Sequence, residues 1–283
     1  MLFRPVLAFA LVLVAAAAFP RGAAAAEQMP VDLELILAVD ISGSIDPEEA
    51  RLQREGYAKA ISHPDVVKAI TGGIHGRIAL AYFEWADGYT QTALLDWTMV
   101  QDRASAETVA RRLLDEPIRT ARRTSISGAI DFALPRFGSG PYRGLRRVLD
   151  ISGDGPNNDG GPVDLARDRA LAAGIVINGL PIMNGRANTW GFPVLEDLDK
   201  YYEGCVIGGP GAFVVVAENF DTFGEAVRRK LILEIAAAPV PAWPAGPEPG
   251  LRPQRAQQAQ GYAKGCDIGE RQSRDFWRRR FDQ

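Results

Sequence analysis

Histidine is almost absent from this chain: His63 and His75 are the only two in 283 residues. Neither stands near a cysteine or an acidic pair at zinc-ligand spacing, and neither is placed to serve a nucleophile. Both read as surface residues. Cysteine is as scarce, with Cys205 and Cys266 alone, so a disulfide-dense scaffold is excluded. No G-x-S-x-G elbow occurs, which removes the usual mark of a serine hydrolase. Excess charge is also lacking, since the formal net charge is −3. That balance disfavours non-specific nucleic-acid binding.

Long apolar runs are missing after the first one. Arg4 opens that run, residues 6–19 are almost wholly apolar, and small residues follow. Ala24 and Ala26 fit the A-x-A pattern, so residues 1–26 read as a signal peptide cleaved before Glu27. A membrane anchor is the alternative, but the run falls short of the about 20 residues a bilayer requires. Cleavage takes away Arg4 and Arg21 and no acidic residue, making the mature chain slightly more acidic, with no membrane span. The expected location is periplasmic or secreted. In an oxidising compartment two cysteines favour a Cys205–Cys266 disulfide over two free thiols. Such a bridge would pin the C-terminal tail across a long loop, typically adding ~2–4 kcal/mol.

What remains has the rhythm of an α/β protein. Residues 33–39 (LELILAV) are apolar except for Glu34, as expected of a strand buried on both faces of a parallel sheet. Asp46-Pro47-Glu48-Glu49 then supplies a cap, a first-turn proline and a capping-box acid, predicting a helix to about Ser62. Residues 77–85 and 89–97 read as strands joined at Asp87-Gly88, a hairpin signal. Ser105 is expected to cap a helix ended by Pro117, and Thr124-Ser125 to open another ending near Pro135. Strands at 147–151, 174–180 and 212–217 follow, with a helix at 162–173 between the first two. Asp221-Thr222 caps a last helix bearing Phe223, Val227, Leu231 and Ile235 at i,i+4 spacing.

Strand–helix alternation with one inserted hairpin predicts a doubly wound, mostly parallel sheet with one antiparallel edge hairpin and helices on both faces. The expected organisation is a domain over residues 31–237 with an irregular insertion at 181–211. A Pro/Ala/Gln-rich linker at 238–258 and a tail at 259–283 follow, the tail helical from about Glu270. Its Arg278-Arg279-Arg280 run, flanked by Trp277 and Phe281, reads as a solvated face docked by its aromatics.

In such a sheet ligands sit outside the carboxyl ends of the strands. Asp40-Ile41-Ser42-Gly43-Ser44 directly follows the first strand, Thr124 opens a helix, and Asp154 follows the 147–151 strand. Asp40, Ser42 and Ser44 alternate, so their side chains can converge while Gly43 allows a tight turn. With Thr124 and Asp154 they make an all-oxygen set of two carboxylates and three hydroxyls. That chemistry suits a hard cation, Mg²⁺ first, with Mn²⁺ or Ca²⁺ as alternatives. Thr120 and Ser125 are the alternatives to Thr124. Helix capping alone is a weaker reading for Asp40 and Ser42, because Asp46 already holds the capping position.

Asp40-x-Ser42-x-Ser44, a separated Thr124 and a later Asp154-Gly155 resemble the metal-ion-dependent adhesion site of von Willebrand factor A (VWA) domains, over roughly residues 31–237. Whole-chain features are also similar to an exported bacterial subgroup catalogued only as a domain of unknown function. The resemblance implies that Ser42, Ser44 and Thr124 contact the metal, that Asp40 and Asp154 act largely through bound water, and that an acidic side chain of a protein partner completes the coordination. Two positions depart from the family. Gly153 stands where many relatives carry a hydroxyl residue directly before the Asp, which leaves the reach of Asp154 open. Arg122-Arg123 replaces a common Gly-Gly, giving the rim an expected positive charge. The implied role is binding rather than catalysis. A metal-assisted hydrolase would want a second metal cluster or a placed base, and a purely structural role with a vestigial site is the other alternative.

Overall fold

The computed structural model describes residues 28–183, 193–236 and 262–281. The expected signal peptide, the linker at 238–258 and part of the 181–211 insertion lie outside the described residues.

A five-stranded sheet runs in the order β3-β2-β1-β4-β5. Its members are β1 (Met29–Asp40), β2 (Ile78–Trp85), β3 (Gln91–Val100), β4 (Tyr142–Gly153) and β5 (Val176–Pro181). β1 pairs in parallel with both β2 and β4, β5 is parallel to β4, and β3 alone is antiparallel. This is the doubly wound sheet with an edge hairpin that the residue pattern predicts. Central β1 is apolar on both faces for that reason. Leu33, Leu35, Leu37 and Val39 enter one core, and Ile36 and Ala38 the other. Each such fully buried aliphatic side chain contributes about 1.5–3 kcal/mol. Glu34, the charged exception, is buried but accepts from the backbone N–H of Gly144 at 2.7 Å and of Gly138 at 3.3 Å.

On one face lie α1 (Pro47–Ile61), α2 (Pro64–Thr71), α3 (Arg103–Asp115) and α7 (Phe223–Ala236). On the other lie α4 (Ile126–Ala133), α5 (Val163–Ala172), the single turn α6 (Leu198–Tyr201) and a π-helical turn, Tyr202–Val206. The tail forms α8 (Ile268–Phe281). Among the described residues no helix is long and apolar enough to cross a membrane.

α1 starts as expected, with Asp46 accepting from the N–H groups of Glu48 and Glu49 at 2.8 Å and Glu49 accepting from Asp46 N at 3.0 Å. Several local expectations are corrected. Asp102, not Ser105, caps α3, and Ser105 occupies the third helical position of that capping box. Helix α2 is an addition to the elements that the residue pattern predicts. Pro64 takes its first helical position, and His63 Nδ1 accepts from Asp65 N at 3.2 Å. Residues 212–217 do not form a strand. Among the described residues they run beside β5 through the isolated bridges Gly179↔Val214 and Ile182↔Ala217.

Candidate metal centre

The three polar loops meet at one end of the sheet because backbone bonds knit them there. Ile41 N donates to Trp85 O (2.9 Å), Ala121 N to Ile41 O (2.8 Å), Ser125 N to Ala86 O (2.7 Å) and Asn158 N to Thr124 O (2.8 Å). Asp40 ends β1 and is fully buried. Its Oδ1 accepts from Ser42 N at 2.7 Å, a local turn that throws the chain back towards α1.

All five expected side chains come together. Thr124 Oγ1 donates to Ser42 Oγ at 3.2 Å, Ser42 Oγ lies 3.4 Å from Ser44 Oγ, and Ser44 Oγ donates to Asp154 Oδ1 at 2.5 Å. Thr120 lies on the exposed part of its loop. Ser125 is drawn away as the N-cap of α4, accepting from Gly128 N at 3.1 Å. Thr124 is therefore the hydroxyl that joins the group.

The electrostatics are those of a site short of positive charge. Asp40 Oδ2 is buried and has no hydrogen-bond partner. Burial, then the charge of Asp154, hold the Asp40 carboxyl well above the ordinary carboxylate range. Asp154 is pushed up to about 6, chiefly by burial and further by the charge of Glu49, with the Ser44 hydrogen bond opposing. Two converging carboxylates, one with an orphaned buried oxygen, are costly unless a cation is supplied. Three hydroxyls and two carboxylates fit a hard divalent ion. Among the described residues no group of three or more His, Cys, Asp or Glu side chains is set for a metal, so a competing carboxylate- or imidazole-rich centre is not evident there.

Both departures from the family pattern have a physical reading. Gly153 closes β4 opposite Pro181, and the space above its Cα is taken by Asp40 and Tyr202. Arg123 adopts a left-handed backbone (φ 55°), and its Nη1 reaches Asp159 Oδ1 at 3.0 Å. The rim is thus less positive than the bare Arg122-Arg123 pair suggests, because Asp159 answers one charge.

Asn157 and Asn158, which the expected metal set does not include, both build the site. Asn158 Oδ1 accepts from Thr124 N at 2.9 Å, and fully buried Asn157 accepts from Ser127 N at 3.0 Å. Gln53 Nε2 donates to Asp40 O at 3.1 Å. The signal in the sequence is the adjacent amide pair directly after Pro156. Cys205 and Cys266 form the expected disulfide.

The family model described as "Protein of unknown function (DUF1194)" matches residues 30–239. No curated protein matches the sequence. Among solved structures, proximal thread matrix protein 1 from the mussel byssus is similar at 15% identity, with a TM-score of 0.54, over 75% of this chain and 49% of that one. A structure of the same mussel protein with a zinc-occupied MIDAS motif aligns at 16% identity, with a TM-score of 0.53, over 75% of this chain and 49% of that one. The pilus adhesin SpaC from Lactobacillus rhamnosus GG aligns at 11% identity, with a TM-score of 0.52, over 72% of this chain and 31% of that one. This chain thus spans half or less of the length of each of these three structures, and what it shares with them at such identity is the fold, which is VWA-like.

Proposed function

This chain belongs to the DUF1194 family of proteins of unknown function, and from that premise we propose that it is an exported, divalent-metal-dependent module that captures an acidic group of a protein partner. The observation that carries this reading is the buried, unpartnered Asp40 Oδ2 beside the linked hydroxyls of Ser42, Ser44 and Thr124 and the carboxylate of Asp154. The three hydroxyls would hold the ion, and Asp40 and Asp154 would balance its charge. When bound, a metal held largely by neutral oxygens supplies an electrophilic centre for a carboxylate from outside. The protein's own part is to keep the hydroxyls convergent, to shield Asp40 from water and to leave the outer side of Asp154 open, since that residue is only half-buried.

Residues 31–237 are the binding module in this reading, behind a cleaved leader of residues 1–26. The linker at 238–258 joins the module to the tail at 259–283. The Cys205–Cys266 bridge suits an oxidising compartment, periplasmic or extracellular. Mg²⁺ is the expected ion and Mn²⁺ or Ca²⁺ the alternatives. Zn²⁺ belongs in the test because a solved structural relative carries it in its MIDAS motif.

Calorimetric titration of Mg²⁺, Mn²⁺, Ca²⁺ and Zn²⁺ into the mature protein and its Asp154→Ala variant tests the reading. One saturable site, lost in the variant, is the expected result. Equal binding by both proteins, or by neither, overturns it.

A further inference from the structure

The C-terminal tail lies beyond the family-matched span, yet it closes directly on the third loop of the candidate site. Asn157 is the meeting point. Three residues past Asp154, it is fully buried and spends every polar atom of its side chain. Oδ1 accepts from Ser127 N at 3.0 Å, one of the orphan N–H groups at the start of α4. Nδ2 donates to Gly161 O at 3.1 Å and to Glu270 Oε1, on the first turn of α8, at 2.7 Å. Its backbone N donates to Tyr201 OH at 3.2 Å, and Tyr201 OH donates in turn to Cys266 O at 3.3 Å. The approach of α8 is close enough that a Cβ on Gly269 would stand 2.1 Å from Asn157 O.

The tail is held there covalently. Cys266, four residues before Glu270, is bonded to Cys205 in the π-helical turn, 61 residues away in sequence. Tyr262 adds a second hold, its OH donating to Asp197 Oδ1 at 2.8 Å. Opposite these contacts, Asn158 Oδ1 and the N–H groups of Asn158 and Asp159 grip both ends of Thr124. Loop three is therefore clamped between the tail on one side and the Thr124 loop on the other. The relative placement of Asp154 and Thr124 depends on both holds.

We propose that the disulfide-anchored tail is a brace for the metal site, with Asn157 and Glu270 as positioning residues that set Asp154 against Thr124. The bridge acts by keeping Glu270 at high effective concentration over Asn157, which an untethered tail would lose. The brace rests on the metal reading for its functional consequence, but its structural effect on loop three is independent of any metal.

The test compares the wild type with Glu270→Ala, Glu270→Gln and the double variant Cys205→Ser/Cys266→Ser. Two quantities are read: Mn²⁺ affinity by calorimetry, and amide hydrogen exchange in the metal-free protein. In Glu270→Ala and in the double variant, Mn²⁺ affinity is expected to fall about tenfold, and exchange to quicken over residues 154–161 while β1 and β2 stay protected. Glu270→Gln retains an oxygen to accept from Asn157 Nδ2 and should stay within about twofold of the wild type. Unchanged exchange at 154–161 in Glu270→Ala, or a loss of protection spread evenly over the sheet, overturns the brace. If the wild type itself binds no Mn²⁺, the metal reading fails, and the exchange at 154–161 still decides the brace.

Discussion

Gly153 stands against Asp40: a Cβ at that position would lie 2.8 Å from Asp40 Oδ2 and 2.9 Å from Tyr202 OH. Both distances are shorter than real Cβ contacts allow, and both neighbours are buried. A side chain here must push the carboxylate or the phenol aside. The glycine that departs from the family pattern is thus what lets Asp40 and Tyr202 share one end of β4. Gly153→Ala is expected to cost about 1–3 kcal/mol, as overpacking does. It should also weaken metal binding out of proportion, because the atom displaced belongs to Asp40. Urea denaturation beside Mn²⁺ calorimetry checks this. An Ala variant with wild-type Mn²⁺ affinity would mean that Asp40 Oδ2 has no part in the site.

Ser42 is the centre of the hydroxyl chain, touched by both Ser44 and Thr124. Ser42→Ala removes that oxygen while leaving the Ser42 N–H bond to Asp40 intact. A tenfold or greater loss of metal affinity, equivalent to ~1.4 kcal/mol, is expected with little change in thermal midpoint. Thr124→Ala should behave similarly and Thr124→Ser should recover most of the binding. Parallel losses in affinity and in midpoint would mark these hydroxyls as structural only.

Much of this site is legible in the chain because its parts are local. Asp40 follows an apolar run broken only by Glu34, and Asp46, Pro47 and Glu49 announce the next helix within four residues. What could not be read depends on distant partners. Asn157 looks like any turn residue until Glu270 of the tail and Ser127 of α4 close on it. Tyr202 faces Asp40 only because a π-helical turn, stapled at Cys205, presents it. Residues 212–217 mislead for the opposite reason. Their β-branched composition signals a strand, but among the described residues they meet β5 through isolated bridges alone.

The raised carboxyls give a pH dependence with a definite sign. Asp154 is pushed up from 3.8 to about 6, and Asp40 is raised as well. A carboxyl whose folded-state value lies above its unfolded one favours folding while protonated, and that contribution is lost as pH rises through the folded value. Between pH 4 and about 6 the metal-free protein should therefore lose stability from this pair. A divalent cation requires the ionised form and offsets that loss. The rise in thermal midpoint caused by 5 mM Mg²⁺, a concentration on the order of a weak site's Kd, is expected to be small at pH 5 and larger at pH 8. An equal rise at both values contradicts the assignment of Asp154 to the ion.

Lys230, on α7, carries a further buried charge problem. Its ammonium lies 2.7 Å from Asp150 and 2.5 Å from Glu234, and all three side chains are almost inaccessible to water. Asn178 Nδ2 donates to the same Glu234 oxygen at 2.9 Å. Burial and the charge of Glu234 push Asp150 up to about 7, while Lys230 pulls it down. One cation thus serves two acids at the place where α7 meets β4. Lys230→Met keeps the length of the side chain and removes the charge, leaving two buried carboxyls without a counterion. Breaking a buried pair from one side typically costs about 3–5 kcal/mol, and a loss in that range is expected by urea denaturation at pH 8. At pH 5 protonation of Asp150 removes much of the repulsion, so the loss should shrink. A penalty independent of pH would place the effect in packing around Phe213, whose ring lies 5.4 Å from the ammonium, rather than in the charge.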